Sequence, residues 1–142
     1  MFETGIEGHY ALVDGKKLRY GYTTGTCAAA AAKGATIFLL TGRAPAAVQI
    51  HTPKGIDLTL PMEEAKREGN ATRCAVRKFS GDDPDVTDGA LIVATASVSA
   101  TPGVHIDGGE GVGRVTKPGL KVPVSSSMVA ALAAAAAQVP VV

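Results

Sequence analysis

The sequence predicts an α+β fold, a mixed or antiparallel sheet packed with an alanine-rich helix as a two-layer sandwich. Three observations carry that expectation. A run of five alanines follows the threonine-rich turn Thr23-Thr24-Gly25-Thr26. Two segments of period-two polarity flank Pro53-Lys54-Gly55. The stretch ALIVATASVSA over residues 90–100 is β-rich and carries no charge.

Taken in chain order, the first fifteen residues are glycine-spaced and read as a loose, irregular arm. KLRYGYT over 17–23 suits a short strand because aromatic and polar residues alternate. Thr24 or Thr26 can then cap a helix, since a threonine oxygen accepts an otherwise unpaired first-turn amide hydrogen. Alanines 28–32 combine high helix propensity with small size, which lets a helix lie close to a neighbouring backbone. Ile37, Phe38, Leu39 and Leu40 are expected to anchor its far end, and Gly42 to stop it. Val48–Thr52 and Ile56–Leu60 form a β-hairpin across the Pro-Lys-Gly turn, with Gln49, His51, Asp57 and Thr59 on its solvent face. Residues 71–79 make a further strand. The uncharged run at 90–100 is expected to be central in a sheet, and a short strand over 103–106 leads into a glycine-rich loop. The last eighteen residues, 125–142, are alanine-rich, of low complexity and uncharged.

Composition narrows function. The chain has 142 residues, 14 Lys and Arg against 13 Asp and Glu, and a net charge of +1. That balance argues against nucleic acid as a partner, since such binders usually show a clearly basic face. Aromatics are 4% of the chain and tryptophan is absent, which disfavours a platform for stacking bases or sugars. With only Cys27 and Cys74, there is no CxxC pair and no zinc framework, and two small buried thiols are the expected reading. No run of 18 apolar residues and no signal-peptide pattern occurs, so a cytoplasmic protein with no membrane partner is expected.

Three segments have the chemistry of binding. At Thr23, Thr24, Gly25 and Thr26, the free amides of a helix N-terminus and the adjoining hydroxyls can receive an anion, although plain capping explains the same residues. In GDDPDVTDG, the carboxylates of Asp82, Asp83, Asp85 and Asp88 can bind a hard cation, orient a ligand or raise one another's pKa for acid–base work, but the spacing of a calcium loop is missing and a solvated acidic turn is the simpler reading. In DGGEGVGRVTKPG, Gly109, Glu110, Gly111 and Gly113 allow close approach of a ligand to backbone amides, and Arg114 and Lys117 add positive charge. No Ser-His-Asp or Cys-His spacing supports covalent catalysis. Catalytic residues are not legible.

LRYGYTTGTCAAAAAKGA (18–35), GDDPDVTDGALIVAT (81–95) and HIDGGEGVGRVTKPGLKVPV (105–124) together resemble, in order, the signature blocks of the CbiD family of cobalt-precorrin-5B C1-methyltransferases. The resemblance implies an α+β domain over 18–124, preceded by the arm at 1–17. It implies transfer of a methyl group from S-adenosylmethionine to C1 of a cobalt-bearing corrinoid, giving cobalt-precorrin-6A in anaerobic cobalamin biosynthesis. The cobalt is then part of the substrate, and no metal bound by the protein is required. The substrate's carboxylate arms would be received near Thr23–Thr26 and by Arg19, Lys33, Arg114 and Lys117, and the acidic loop would face the methyl donor. Members of that family are longer, and the stretch after Val124 departs from their pattern, so the chain reads as an N-terminal portion. A homo-oligomer is compatible with this reading. The alternatives are a non-catalytic module that holds a tetrapyrrole or S-adenosylmethionine, and an inactive remnant.

Overall fold

The structure, a computed structural model, describes residues 4–19, 21–52, 55–79, 81 and 88–109. Its described elements run β1 (Tyr10–Val13), β2 (Lys16–Arg19), α1 (Thr24–Thr41), β3 (Ala47–His51), β4 (Asp57–Pro61), β5 (Glu64–Glu68), β6 (Ala71–Arg77) and β7 (Leu91–Ser97). They form two hairpins, β1-β2 and β3-β4, and a three-stranded sheet in the order β5-β6-β7. Every pairing is antiparallel. The α+β class read from the sequence is the one observed.

Helix α1 packs against β6 and β7 and also meets β3. Ala28, Ala29, Ala30 and Ala31 are all buried. Four consecutive positions span the whole circumference of a helix, so this segment is enclosed rather than laid on one face. Its neighbours in the core are Val48, Ile50, Leu58 and Leu60 from the β3-β4 hairpin and Val76 from β6. Farther along, the helix approaches the sheet so closely that a Cβ on Gly34 would meet Met62 Sδ at 2.5 Å and Cys74 Sγ at 3.5 Å. The buried Thr72 hydroxyl donates to the Ala35 carbonyl at 2.6 Å, which stitches β6 to the helix by a polar bond inside the core. Cys27 and Cys74 are free and buried, as expected.

Four expectations need correction. Of the N-terminal fifteen residues, the described ones, 4–15, are not loose. The Glu7 carboxylate accepts from the Thr4 amide and hydroxyl, both at 3.0 Å, and from the Gly5 amide at 2.8 Å. The Thr59 amide donates to the Thr4 carbonyl at 2.7 Å, and Ile6 joins the core. Strand β1 follows, turning into β2 through Asp14 and Gly15, both at positive φ, as a tight hairpin turn needs. Second, among the described strands β6 and not β7 is the middle one of its sheet. A charge-free apolar run measures hydrophobicity, not the number of hydrogen-bonded neighbours, and β6 carries Arg73 and Arg77 on its outer side, where they pair with Glu68 and Glu63. Third, residues 103–106 form no strand, and Val104 and Ile106 are exposed. Fourth, of the four expected anchors Ile37 packs half-buried against the core, whereas Phe38 and Leu39 are only half-buried and Leu40 is 53% exposed, so the buried alanines supply most of the helix's contact. Gly42 does stop the helix, in the left-handed conformation, with its amide donating to the Phe38 carbonyl at 2.9 Å.

Among the described residues, no helix is long and apolar enough to cross a membrane.

Candidate functional site

The site begins with how α1 starts. Thr23, rather than Thr24 or Thr26, is the cap: its backbone is extended and its side-chain oxygen accepts from the Thr26 amide at 3.0 Å. The Thr23 hydroxyl donates in turn to Thr26 Oγ1 at 3.0 Å. Thr26 cannot cap because it lies inside the first turn. Thr24 and Gly25 occupy the first two helical positions, where amides have no acceptor within the helix. Thr23 is exposed, Thr24 half-buried, and Gly25 and Thr26 buried, so the turn meets solvent only at its opening residues.

Against this turn lies the end of β6. Period-two alternation puts Thr72, Cys74, Val76 and Lys78 on the helix-facing side, and Lys78 is only 6% exposed. Its Nζ donates to Thr24 Oγ1 at 3.0 Å. A buried ammonium therefore stands at the positive end of a helix dipole, an arrangement that favours negative charge nearby. The acidic segment supplies that charge in sequence, since Asp82 and Asp83 follow Lys78 closely. The two ends of the segment are fixed. The Lys78 amide donates to Ala90 O and the Gly89 amide to Lys78 O, each at 2.9 Å. Arg77 Nη1 donates to Gly89 O at 2.6 Å. One residue beyond Lys78, the Phe79 carbonyl accepts from the Tyr22 amide at 2.7 Å, and the two rings meet edge-to-face with centroids 5.8 Å apart.

The structure thus brings Lys78 and Phe79, which precede the acidic segment, against the start of α1, and of that segment's carboxylates it describes only the exposed Asp88. Asp82, Asp83 and Asp85 lie outside the described residues. Of the glycine-rich segment Asp107, Gly108 and Gly109 are described; Gly109 is exposed, with open space where a Cβ would stand. Glu110, Gly111, Gly113, Arg114 and Lys117 also lie outside. Lys33 is not at the site. Nine residues along the helix from Thr24, about 13 Å, its ammonium donates to the Gln49 carbonyl at 2.9 Å.

Sequence reasoning missed Lys78. The signal was the same alternation that reads 71–79 as a strand, because it places a lysine on the face that must be buried. Cys27, next to the turn, is no nucleophile: burial pushes its thiol up to about 11 even though Lys78 pulls the other way. Among the described residues no group of three or more potential metal ligands gathers. What the arrangement can do is receive an anion, through amides, hydroxyls and a nearby ammonium.

The fold is a small α+β unit, and comparison with known proteins says to which family it belongs. The CbiD family profile matches residues 11–139. The chain is 54% identical over 114 residues to the cobalt-precorrin-5B C(1)-methyltransferase of Geobacillus kaustophilus, covering 80% of this chain and 31% of that relative. Enzymes of the same name from Thermoanaerobacter sp. and Salinispora arenicola are 50% and 49% identical, covering 80% and 75% of this chain and 31% and 28% of theirs. The chain belongs to the CbiD family. It spans about a third of the length of these curated relatives. No solved structure matches it.

Proposed function

We propose that the chain is the N-terminal portion of a methyltransferase that moves a methyl group from S-adenosylmethionine to C1 of cobalt-precorrin-5B, giving cobalt-precorrin-6A. The observation that carries this reading is the identity of about half, over four-fifths of the chain, to relatives that bear that activity in their names. In the reaction the sulfonium S–CH3 bond breaks as the bond from methyl to C1 forms. The sulfur keeps the electron pair and leaves as S-adenosylhomocysteine. Such a transfer needs the carbon nucleophile held in line with the methyl group in a dry site, so a protein contributes mainly by positioning and by excluding water. It needs no covalent residue, in keeping with the protonated Cys27.

In this reading the Thr23–Thr26 turn, with Lys78 beside it, receives a carboxylate arm of the macrocycle. The loop carrying Asp82, Asp83, Asp85 and Asp88 faces the positive charge of the methyl donor. Gly109, Glu110, Gly111, Gly113, Arg114 and Lys117 form the second ligand-facing loop of an 18–124 domain. The cobalt arrives with the substrate. The cytoplasm, where methyl donor and precorrin are both at hand, is the proposed compartment, and nucleic acid and membrane have no part; assembly is as a homo-oligomer. Titration calorimetry with S-adenosylmethionine and with a cobalt corrinoid, followed by mass analysis for the methylated product, tests this. Heat with both ligands and a product supports the enzyme. Heat without product reduces the chain to a binding module, and no heat with either ligand makes it an inactive remnant.

A further inference from the structure

We infer that the outer edge of β7 is an interface, which receives a further β-strand from the length of a full CbiD-family chain that this chain does not span. The inference rests on the reading of the chain as a portion of a longer methyltransferase and adds to it where the remainder attaches. The two outer strands of the three-stranded sheet differ in kind. β5 reads EAKRE and is almost wholly exposed. Charges along an edge keep other strands from pairing with it, because they would lose water there. β7 reads LIVATAS, and from Ala90 to Ile106 the chain has no Lys, Arg, Asp or Glu. Nor does β7 carry the proline or the shortness that also protect edges, having seven residues against five in β5. The Lys78 amide donates to the Ala90 carbonyl, which marks that opposed pair as the hydrogen-bonded kind. Alternation then aims the backbone of Ile92, Ala94 and Ala96 at β6, and that of Leu91, Val93, Thr95 and Ser97 at the opposite edge, where no strand pairs among the described residues. Such a row of amides and carbonyls is a template for one more strand. Apolar surface gathers on the same stretch. Val93 is 41% exposed, and Val98, Val104 and Ile106 just beyond β7 are exposed too. Among the described residues, Leu12 and Leu40 are the only other large apolar side chains so exposed. The occupant follows from length. This chain spans 31% of the Geobacillus kaustophilus relative, so most of a full family chain must pack somewhere, and the sheet guards one edge while leaving the other open.

Amide-resolved hydrogen exchange of this whole chain and of the full-length Geobacillus kaustophilus relative tests the inference. It reads no activity, so it can fail independently of the proposed reaction. In this chain Val93 and Thr95 should exchange at least about a hundredfold faster than Ile92 and Ala94, as amides without a sheet partner do. At the aligned positions of the relative all four should be slow. A second readout is thermal. Thr95→Pro removes only an outward amide, so it should lower the melting temperature of this chain by less than proline at the aligned position lowers that of the relative, where the amide has a partner. Alternation that persists in the relative overturns the inference, as do equal thermal shifts. Slow Val93 and Thr95 amides in this chain also overturn it. If they are slow at every concentration, the edge is covered from within; if the slowing grows with concentration, a second copy covers it. Should Ile92 and Ala94 exchange fast here as well, the relative decides alone: fast amides at the positions of Val93 and Thr95 overturn the inference, and slow ones support it.

Discussion

The two halves of α1 invert the usual relation between side-chain size and burial. From Gly25 to Ala31 every residue is buried, and none of them has a large apolar side chain. From Ile37 to Leu40 all four are large and apolar, yet none is buried. Close approach explains the inversion. The first half is enclosed by β6, β7 and the β3-β4 hairpin, and space that tight admits only small side chains. Toward the far end Ile37 still packs against the core, Phe38 is covered by the Arg67 guanidinium 5.7 Å from its ring centre, and Leu40 meets solvent. Burial here is a property of place. The half built of small residues is also the half that delivers the helix N-terminus to Lys78, so tight packing and the candidate site share one end of the molecule.

The sharpest way to break this comparison is to enlarge a buried alanine. Ala30→Leu, at a position with no exposure, should cost about 3 kcal/mol in denaturant unfolding, because added methylenes in a full core force side chains off their rotamers and shift backbone. A cost under about 1 kcal/mol, the low edge of that range, would mean that the helix does not lie so close. Next in size is the cap. Thr23→Ala removes the acceptor for the Thr26 amide and should lower stability by about 1 kcal/mol, with weakened exchange protection confined to the first turn. In the other half, Leu40→Ala should change stability by no more than about 0.5 kcal/mol, as exposed substitutions usually do. A larger loss would show that the far end is an anchor after all.

The smallest effect sits where the N-terminal segment docks on β4. Hydrogen bonds from the Thr4 and Glu7 backbone, with that of Gly5, lower the Glu7 carboxyl from 4.5 to about 2. A carboxylate depressed in the folded state stabilises it fully above the ordinary value and loses that contribution as pH falls toward the folded one. NMR titration should find Glu7 among the last carboxyls to protonate, with the Thr4 and Gly5 amides shifting at the same pH. Glu7→Gln should abolish that coupled shift, and a Glu7 that titrates near 4.5 would show the segment to be undocked.

Much of this was legible from local chemistry. The β3-β4 hairpin follows from alternation and a Pro-Lys-Gly turn, and its pairing runs from Ala47 with Pro61 to His51 with Asp57. Gly42 ends the helix because only a residue without a Cβ takes the left-handed bend at little cost. Asp14-Gly15 was equally plain turn chemistry and went unread. Strand β5, EAKRE, was not legible, since a strand that is mostly exposed and charged carries no apolar alternation and is held by its pairing with β6. Lys78 lay between the two cases: its face could be counted, but its partner could not.

What the amino-acid sequence determines by itself is therefore local: helix where alanines follow a threonine cap, hairpin where polarity alternates across a turn, and the family through its ordered motifs. Which strand is central, which half of the helix is enclosed and which hydroxyl the buried lysine meets are decided by the tertiary structure. The reason is physical: propensity and capping act within a few residues of chain, whereas enclosure and the bond from Lys78 to Thr24 join groups 54 residues apart, and only the packed fold brings them together.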